Sequence, residues 1–311
     1  MRPLLIIAAL AAGVLAAPLV TGSGYLLNLL IMTLYLALLA QSWNILGGFG
    51  GQFSFGHAVF FGTGAYAMAV LQVKFGWNAW AALPCALLAG AAVGLLVGAL
   101  SFRYGLKGSY FALVTLAFAE VFRILANSFD FTGAGVGLQI PLRDSAAHFQ
   151  FAGKTGFLYT ILVFALASLL VAAWLKRSRF GAWLQALRDS EDSAAALGVN
   201  VLRVKLGAIA ISGALMAAGG AFYVQYFRYI DPQLAYGPAI SVEALLAAIV
   251  GGTGTVFGPL LGAAALSVLG EATRSLMADV PGVNLIVYGV LLVLIVMFMP
   301  RGIAGLAARK R

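Results

Sequence analysis

The chain is a succession of apolar runs, each near the ~20 residues a helix needs to cross a bilayer, with no intervening polar stretch long enough to fold as a separate domain. With 62% hydrophobic and only 9% charged residues, it lacks the polar surface to cover those runs in water. Inside lipid the backbone must satisfy its own hydrogen bonds, and runs of this length do so as helices. The expected fold class is therefore all-α: a polytopic integral membrane protein with about ten transmembrane helices, some of them short or glycine-interrupted.

The apolar segments fall at 4–20, 25–46, 57–73, 79–101, 109–126, 157–175, 206–226, 240–253, 258–270 and 284–300. The eighth and ninth are short and carry glycines, so each reads either as a full crossing or as a re-entrant helix. Ten crossings place both termini on one side. With that side cytoplasmic, 13 of the 19 Lys and Arg residues fall inside and 5 outside, with Arg123 left within a span. That asymmetry satisfies the positive-inside rule, so the net charge of +9 reads as topology and not as a nucleic-acid stripe. The start, MRPLLIIAALAAGVLAAP, also fits a signal peptide cleaved after Ala17, which would leave the later spans oriented as before. The whole chain, 1–311, reads as a single transmembrane domain with one cytoplasmic segment at about 176–205.

Covalent chemistry finds little support. A lone cysteine, Cys85, permits neither an intrachain disulfide nor a Cys-based metal cluster. With only His57 and His148, no histidine cluster can form, so no metal site or cofactor is expected in this chain. Gly153-Lys154-Thr155 imitates the end of a phosphate-binding loop but has His148 where that pattern needs glycine. Gly62-Thr63-Gly64-Ala65-Tyr66-Ala67 imitates a dinucleotide fingerprint inside an apolar span with no strand before it. Energy from ATP would have to enter through another subunit.

Glycine carries more information. Gly90, Gly94 and Gly98 make overlapping GxxxG patterns in the fourth span, best read as a helix-packing face, and Gly254, Gly258 and Gly262 repeat the spacing later. Two further segments, GGFGGQFSFGHA at Gly47–Ala58 and GGTGTVFGP at Gly251–Pro259, are permissive enough to break a helix. Broken backbone at membrane depth is tolerated where it is buried in protein or lines a cavity, and interrupted segments in the two halves of a transporter point to its translocation path. The candidate path residues are Gly47, Gly48, Gly50, Gly51, Gln52, Ser54 and His57, with Gly251, Gly252, Gly254 and Gly258. Half-helices beginning there would offer amides to a carboxylate. His57, beside Ser54 and Gln52, reads more readily as a helix-start hydrogen-bonder than as a proton carrier. Glu120 and Arg123, three apart in the fifth span, can pair, and Glu243 stands three residues into the eighth.

Between the sixth and seventh spans, KRSRFGAWLQALRDSEDSAAALGVNVLRVKL holds the clearest helix punctuation outside the membrane. Asp189 or Ser190 can cap a short helix, Glu191 and Asp192 suit its first turn, and Gly198 can end it. A helix of about eight residues is marginal alone, so contacts must hold it. Its small face of Ala194, Ala195 and Ala196, followed by Leu197 and Gly198, suits a groove on a partner better than a lipid surface.

Several separated motifs resemble one family: GQFSFGHAVFFGTGAYA at Gly51–Ala67, LKGSYFALVTLAFAE at Leu106–Glu120, ALRDSEDSAAALGVNVLRVKL at Ala186–Leu206, VEALLAAIVGGTGTVFGPLLGA at Val242–Ala263 and MFMPRGIAGL at Met297–Leu306. Together they are similar to the LivH/LivM-type permeases, membrane subunits of branched-chain amino acid ABC importers, and closest to the LivM side. The resemblance implies the ABC importer permease fold in a bacterial inner membrane. It implies a LivH-like homologous permease, two cytoplasmic ATPase subunits that bind the ATP, and a periplasmic substrate-binding protein as partners. Asp189–Gly198 matches the family's coupling segment, with Ser190 and Asp192 standing where Asn and Ala are usual. Related permeases carry urea, short amides or aromatic acids. An ion-driven transporter is the alternative class, and it would need a mid-membrane relay for which Glu120 is the one candidate.

Overall fold

The computed structural model describes residues 2–20, 22–143, 145–276 and 302–308, with scattered positions between 286 and 297. They form helices α1 (Arg2–Val20), α2 (Gly24–Asn44), α3 (His57–Val73), α4 (Ala79–Phe102), α5 (Gly108–Ser128), α6 (Lys154–Leu175), α7 (Arg179–Asp189), α8 (Glu191–Ala196), α9 (Val201–Phe227), α10 (Pro232–Tyr236), α11 (Pro238–Gly251), α12 (Gly258–Leu276) and α13 (Gly302–Ala308). A π-turn, Ile45–Phe49, continues α2. Two short strands, β1 (Leu138–Gln139) and β2 (Tyr229–Ile230), pair antiparallel and tie the α5–α6 connection to the end of α9.

Among the described residues, six helical stretches are long and apolar enough to cross a membrane: Gly24–Phe49, Ala79–Phe102, Gly108–Ser128, Lys154–Leu175, Val201–Phe227 and Pro232–Gly251. Leu5–Leu19 and His57–Val73 are shorter apolar helices. The eighth expected segment extends backwards, because α10 runs into α11 to make a 20-residue apolar stretch. The ninth is one unbroken helix of 19 residues, its final turns carrying Glu271 and Arg274. The tenth, 284–300, lies outside the continuously described residues.

The centre of the bundle is α2, packed against α6, α9, α11 and α12, while α3 and α4 clasp α9. Ile31, Leu38, Leu39, Ala40 and Trp43 of α2 are fully enclosed. The fourth-span glycines do what packing requires. A methyl group at Gly94 would lie 2.8 Å from the carbonyl of Ile209, and one at Gly90 would strike Ala217 and the carbonyl of Gly213, so α4 and α9 touch backbone to backbone. Large side chains point outward from the rim, among them Leu88, Leu95 and Leu100 of α4, Val121 and Ile124 of α5, and Val163 and Leu170 of α6. Lipid is the medium that makes such a surface inexpensive.

Candidate functional site

The two glycine segments, some two hundred residues apart in sequence, meet at one end of the bundle, and α7 and α8 lie against them. Asn44, the last residue of α2, joins them: its Nδ2 donates to the carbonyl of Thr255 at 3.0 Å and its Oδ1 accepts from the amide of Gly254 at 2.7 Å. Gly48 faces the same strip of backbone. A methyl group there would lie 2.5 Å from the nitrogen of Gly254, so only glycine permits the approach.

The other expected path residues are placed in the same seam, and they are packed. Gly47 lies against the Trp43 ring, and Gly50 against the carbonyl of Leu46. Gly251 abuts the backbone of Gly258, Gly258 abuts the carbonyl of Gly252, and Gly252 lies beneath Gly302 at the start of α13. The half-helix amides are used internally. Ala58 N donates to Ser241 Oγ at 2.8 Å, Gly56 N to Ser54 Oγ at 3.2 Å, and Gly258 N to Thr255 Oγ1 at 2.9 Å. Those three amides, among the ones expected to face a carboxylate, are engaged within the chain.

His57 is fully buried and behaves as a hydrogen-bonding spacer. Its Nδ1 lies 3.0 Å from Ser54 Oγ and its Nε2 2.9 Å from Ser212 Oγ, whose hydroxyl donates to the carbonyl of Ser42 at 2.7 Å. With both ring nitrogens occupied by hydroxyls, α3 is pinned to α2 and α9 at the level of the seam.

The segment at 176–205 holds one helix more than the short one expected. It folds as two, α7 and α8, with Asp189 ending the first and Ser190 capping the second by accepting from Ser193 N at 3.3 Å. Gly198 closes α8 in the left-handed region at φ +86°. The small face is split. Ala194 is only 2% exposed and packs inward, whereas Ala195, Ala196 and Gly198 are exposed and Leu197 stands out at 86%. The exposed face of α8 is thus Asp192 and Ser193 with Ala195–Gly198.

Basic side chains that the sequence presented only as topology markers, together with Glu191 of α8, tie this unit to the seam. Arg188 Nη1 donates to the carbonyl of Gly48 at 3.1 Å, and its aliphatic stem covers Gly51, where a methyl group would lie 2.6 Å from Cγ. Glu191 is a hub. It accepts from Gln52 Nε2 at 3.2 Å, pairs with Lys107 at 3.1 Å, and forms a close ion pair with Lys205 of α9, which is itself only 3% exposed and lies over the Phe102 ring. Burial opposes ionisation of Glu191, yet hydrogen bonds and charge from Lys205 and Lys107 outweigh it and hold the carboxyl below the usual carboxylate range. Lys107 is raised in turn, chiefly by its hydrogen bond to Glu191.

The Glu120–Arg123 pair stands apart, on α5. Arg123 Nε donates to Glu120 Oε2 at 2.8 Å and its Nη1 to Gln233 of α10 at 3.1 Å. A carboxylate tied to guanidinium in this way is a poor proton carrier. Among the described residues no group of three or more His, Cys, Asp or Glu is arranged to hold a metal.

A cavity of about 530 Å³ opens at the opposite end of α2, α11 and α12, reaching from Tyr25 and Arg274 to Tyr35, Glu243 and Leu266. The bundle thus has a recess at one end and a glycine seam at the other, spanned by the same three helices.

Comparison with known proteins accords with this arrangement. Residues 25–296 match the family described as branched-chain amino acid transport system / permease component. The chain is 31% identical to the high-affinity branched-chain amino acid transport system permease protein LivM of Salmonella typhimurium, over 88% of this chain and 68% of that one, with the same figures for the Escherichia coli protein of that name. It is 27% identical to a probable branched-chain amino acid transport permease protein LivH of Methanocaldococcus jannaschii, over 80% of this chain and 81% of that one. No solved structure matches at a significant level. Carrying its motifs along a helical membrane bundle, the chain belongs to the branched-chain amino acid permease component family.

Proposed function

We propose that this chain is a membrane-embedded permease subunit of an ABC importer, passing branched-chain amino acids inward through the bacterial inner membrane. It carries no ATPase site of its own, and ATP is bound by partner subunits. The observation that carries the reading is the tie between α7–α8 and the first glycine segment, made by Arg188 to Gly48 and by Glu191 to Gln52, with the Arg188 guanidinium also standing beside Gly254 of the second. A unit displaced from outside the membrane through Ala195–Gly198 pulls directly on the seam. In this reading Asp189, Ser190, Glu191, Ala195, Ala196, Leu197 and Gly198 couple to the ATPase, with Ala194 anchoring the helix from within. Gly47–His57 and Gly251–Gly258 form the inner closure of the path, and opening requires Asn44 to release Gly254 and Thr255.

The reading includes ten spans with both termini in the cytoplasm, which sets α7 and α8 on the inner side where an ATPase pair stands. A LivH-like permease completes the membrane unit, and a periplasmic binding protein delivers substrate to the other face. Uptake of labelled leucine into membrane vesicles carrying the assembled importer tests it. We expect uptake that needs ATP, survives a protonophore, and is competed by isoleucine and valine. Uptake that ignores ATP and collapses with the proton gradient would overturn it, as would competition by urea or aromatic acids in place of valine.

A further inference from the structure

The cavity at the end of the bundle opposite α7 and α8 is lined by groups that nothing in the seam uses. Tyr35, on α2, is only 8% exposed, and its hydroxyl lines this space without a hydrogen-bond partner among the described residues. Such a hydroxyl, enclosed and unpaired, is a cost unless something from outside completes it. Glu243 of α11 faces the same space and forms no ion pair or hydrogen bond among the described residues. Glu271 and Arg274, at the end of α12, lie only loosely together at 3.8 Å, so among the described residues the guanidinium keeps most of its donors free. Met32, Leu36, Leu246 and Leu266 supply an apolar wall.

Ionisable groups inside a membrane bundle are rare, and by default they mark a pathway. Here the unpaired charge is a carboxylate, which asks for a cation. A proton or bare metal ion would leave the guanidinium and the apolar wall without a purpose, whereas one chemical class uses all three: an α-amino acid zwitterion with an aliphatic side chain. The volume of about 530 Å³ falls within the range of small-molecule sites, roughly 300–1,000 Å³.

Resting on the transport reading above, we infer that this cavity is a substrate subsite of the permease itself. Glu243 and the Tyr35 hydroxyl receive the ammonium group, Arg274 near the mouth attracts the carboxylate, and the α2–α11–α12 wall takes the side chain. Selectivity for the zwitterion then resides partly in this chain and not only in the protein that delivers substrate.

The test is binding of tritiated leucine to the assembled importer in lipid nanodiscs, with no binding protein or ATP added. The competitors are 4-methylpentanoate, which lacks the ammonium group, and 3-methylbutylamine, which lacks the carboxylate. The unaltered importer should prefer leucine to either by at least tenfold. Glu243→Gln should weaken leucine binding at least tenfold and erase its advantage over 4-methylpentanoate. Arg274→Gln should erase the advantage over 3-methylbutylamine, and Tyr35→Phe, which removes one oxygen and no bulk, should weaken leucine about threefold. A preference that persists in Glu243→Gln, or an equal loss for all three ligands, overturns the subsite. Leucine uptake by the unaltered importer is measured alongside: its absence overturns the transport reading itself, whereas uptake with an unchanged Glu243→Gln preference overturns the subsite alone.

Discussion

Arg188 donates to the carbonyl of Gly48 at 3.1 Å, and the same guanidinium is what a methyl group on Gly254 would meet at 2.8 Å. One side chain from α7 therefore touches both glycine segments at the point where they meet. Replacing it with methionine keeps most of the stem over Gly51 and removes the donor. The hydrogen bond to Gly48 is partly exposed, so its loss should cost only about 1 kcal/mol of stability. Coupling should suffer far more: Arg188→Met is expected to raise the ATP hydrolysed per leucine imported at least fivefold. An unchanged ratio in reconstituted vesicles would show that Arg188 transmits nothing.

Gly48 tolerates no side chain. Its neighbour across the seam is backbone, which cannot rotate away, so Gly48→Ala should force the segments apart at a cost of about 1–3 kcal/mol, in line with other overpacked sites. The expected result is a lowered melting temperature together with leaky or abolished uptake. Gly13, with open space around it, is the control and should accept alanine without effect.

Glu191 and Lys205 should behave as a unit. Breaking one partner of an enclosed pair leaves an unmatched charge and typically costs about 3–5 kcal/mol, while removing both together costs much less. Lys205 is the enclosed member with no other ion pair among the described residues, so Glu191→Leu should destabilise the purified chain more than Glu191→Leu combined with Lys205→Met. A thermal-shift double-mutant cycle checks this. Additive losses would mean that the two side chains do not depend on one another.

Acid should loosen α8. The folded state holds Glu191 below the usual carboxylate range, so its contribution is fully present above that range and is lost as pH falls through the lower folded value. Hydrogen exchange at the amides of 191–197, corrected for intrinsic rates, should stay slow at neutral pH and quicken only in acid. Glu191→Gln should abolish that step. The same pH dependence in the variant would place its cause elsewhere.

Much of this was readable in the sequence, and what was missed has a common physical origin. Apolar run length located the six stretches long enough to cross a membrane, the glycine clusters marked both halves of the seam, and capping signals marked Asp189 or Ser190 and Gly198 as the ends of a short helix, because each of these signals is local. The meeting of Gly48 with Gly254 is not local, and neither are the ion pairs of Glu191 with Lys205 and Lys107. Counted by side of the membrane, those lysines serve topology and nothing more. Asn44 offered a hint, an amide that with Gln41 borders a glycine run inside an apolar span. The inward turn of Ala194 escaped for the opposite reason: three consecutive alanines look alike until packing selects one. Glu243 was legible only as a carboxyl three residues into a span, because its company, Tyr35 and Arg274, comes from other helices.

The central claim is that α8 takes force from an ATP-hydrolysing neighbour and passes it to the seam. Ala195→Cys in the assembled importer, treated with a short bifunctional thiol reagent after single cysteines are placed across the ATPase surface, tests it most directly. The account predicts an adduct between Ala195→Cys and the ATPase whose yield changes when ATP is bound. A working importer in which position 195 joins no ATPase residue, with or without nucleotide, would contradict it.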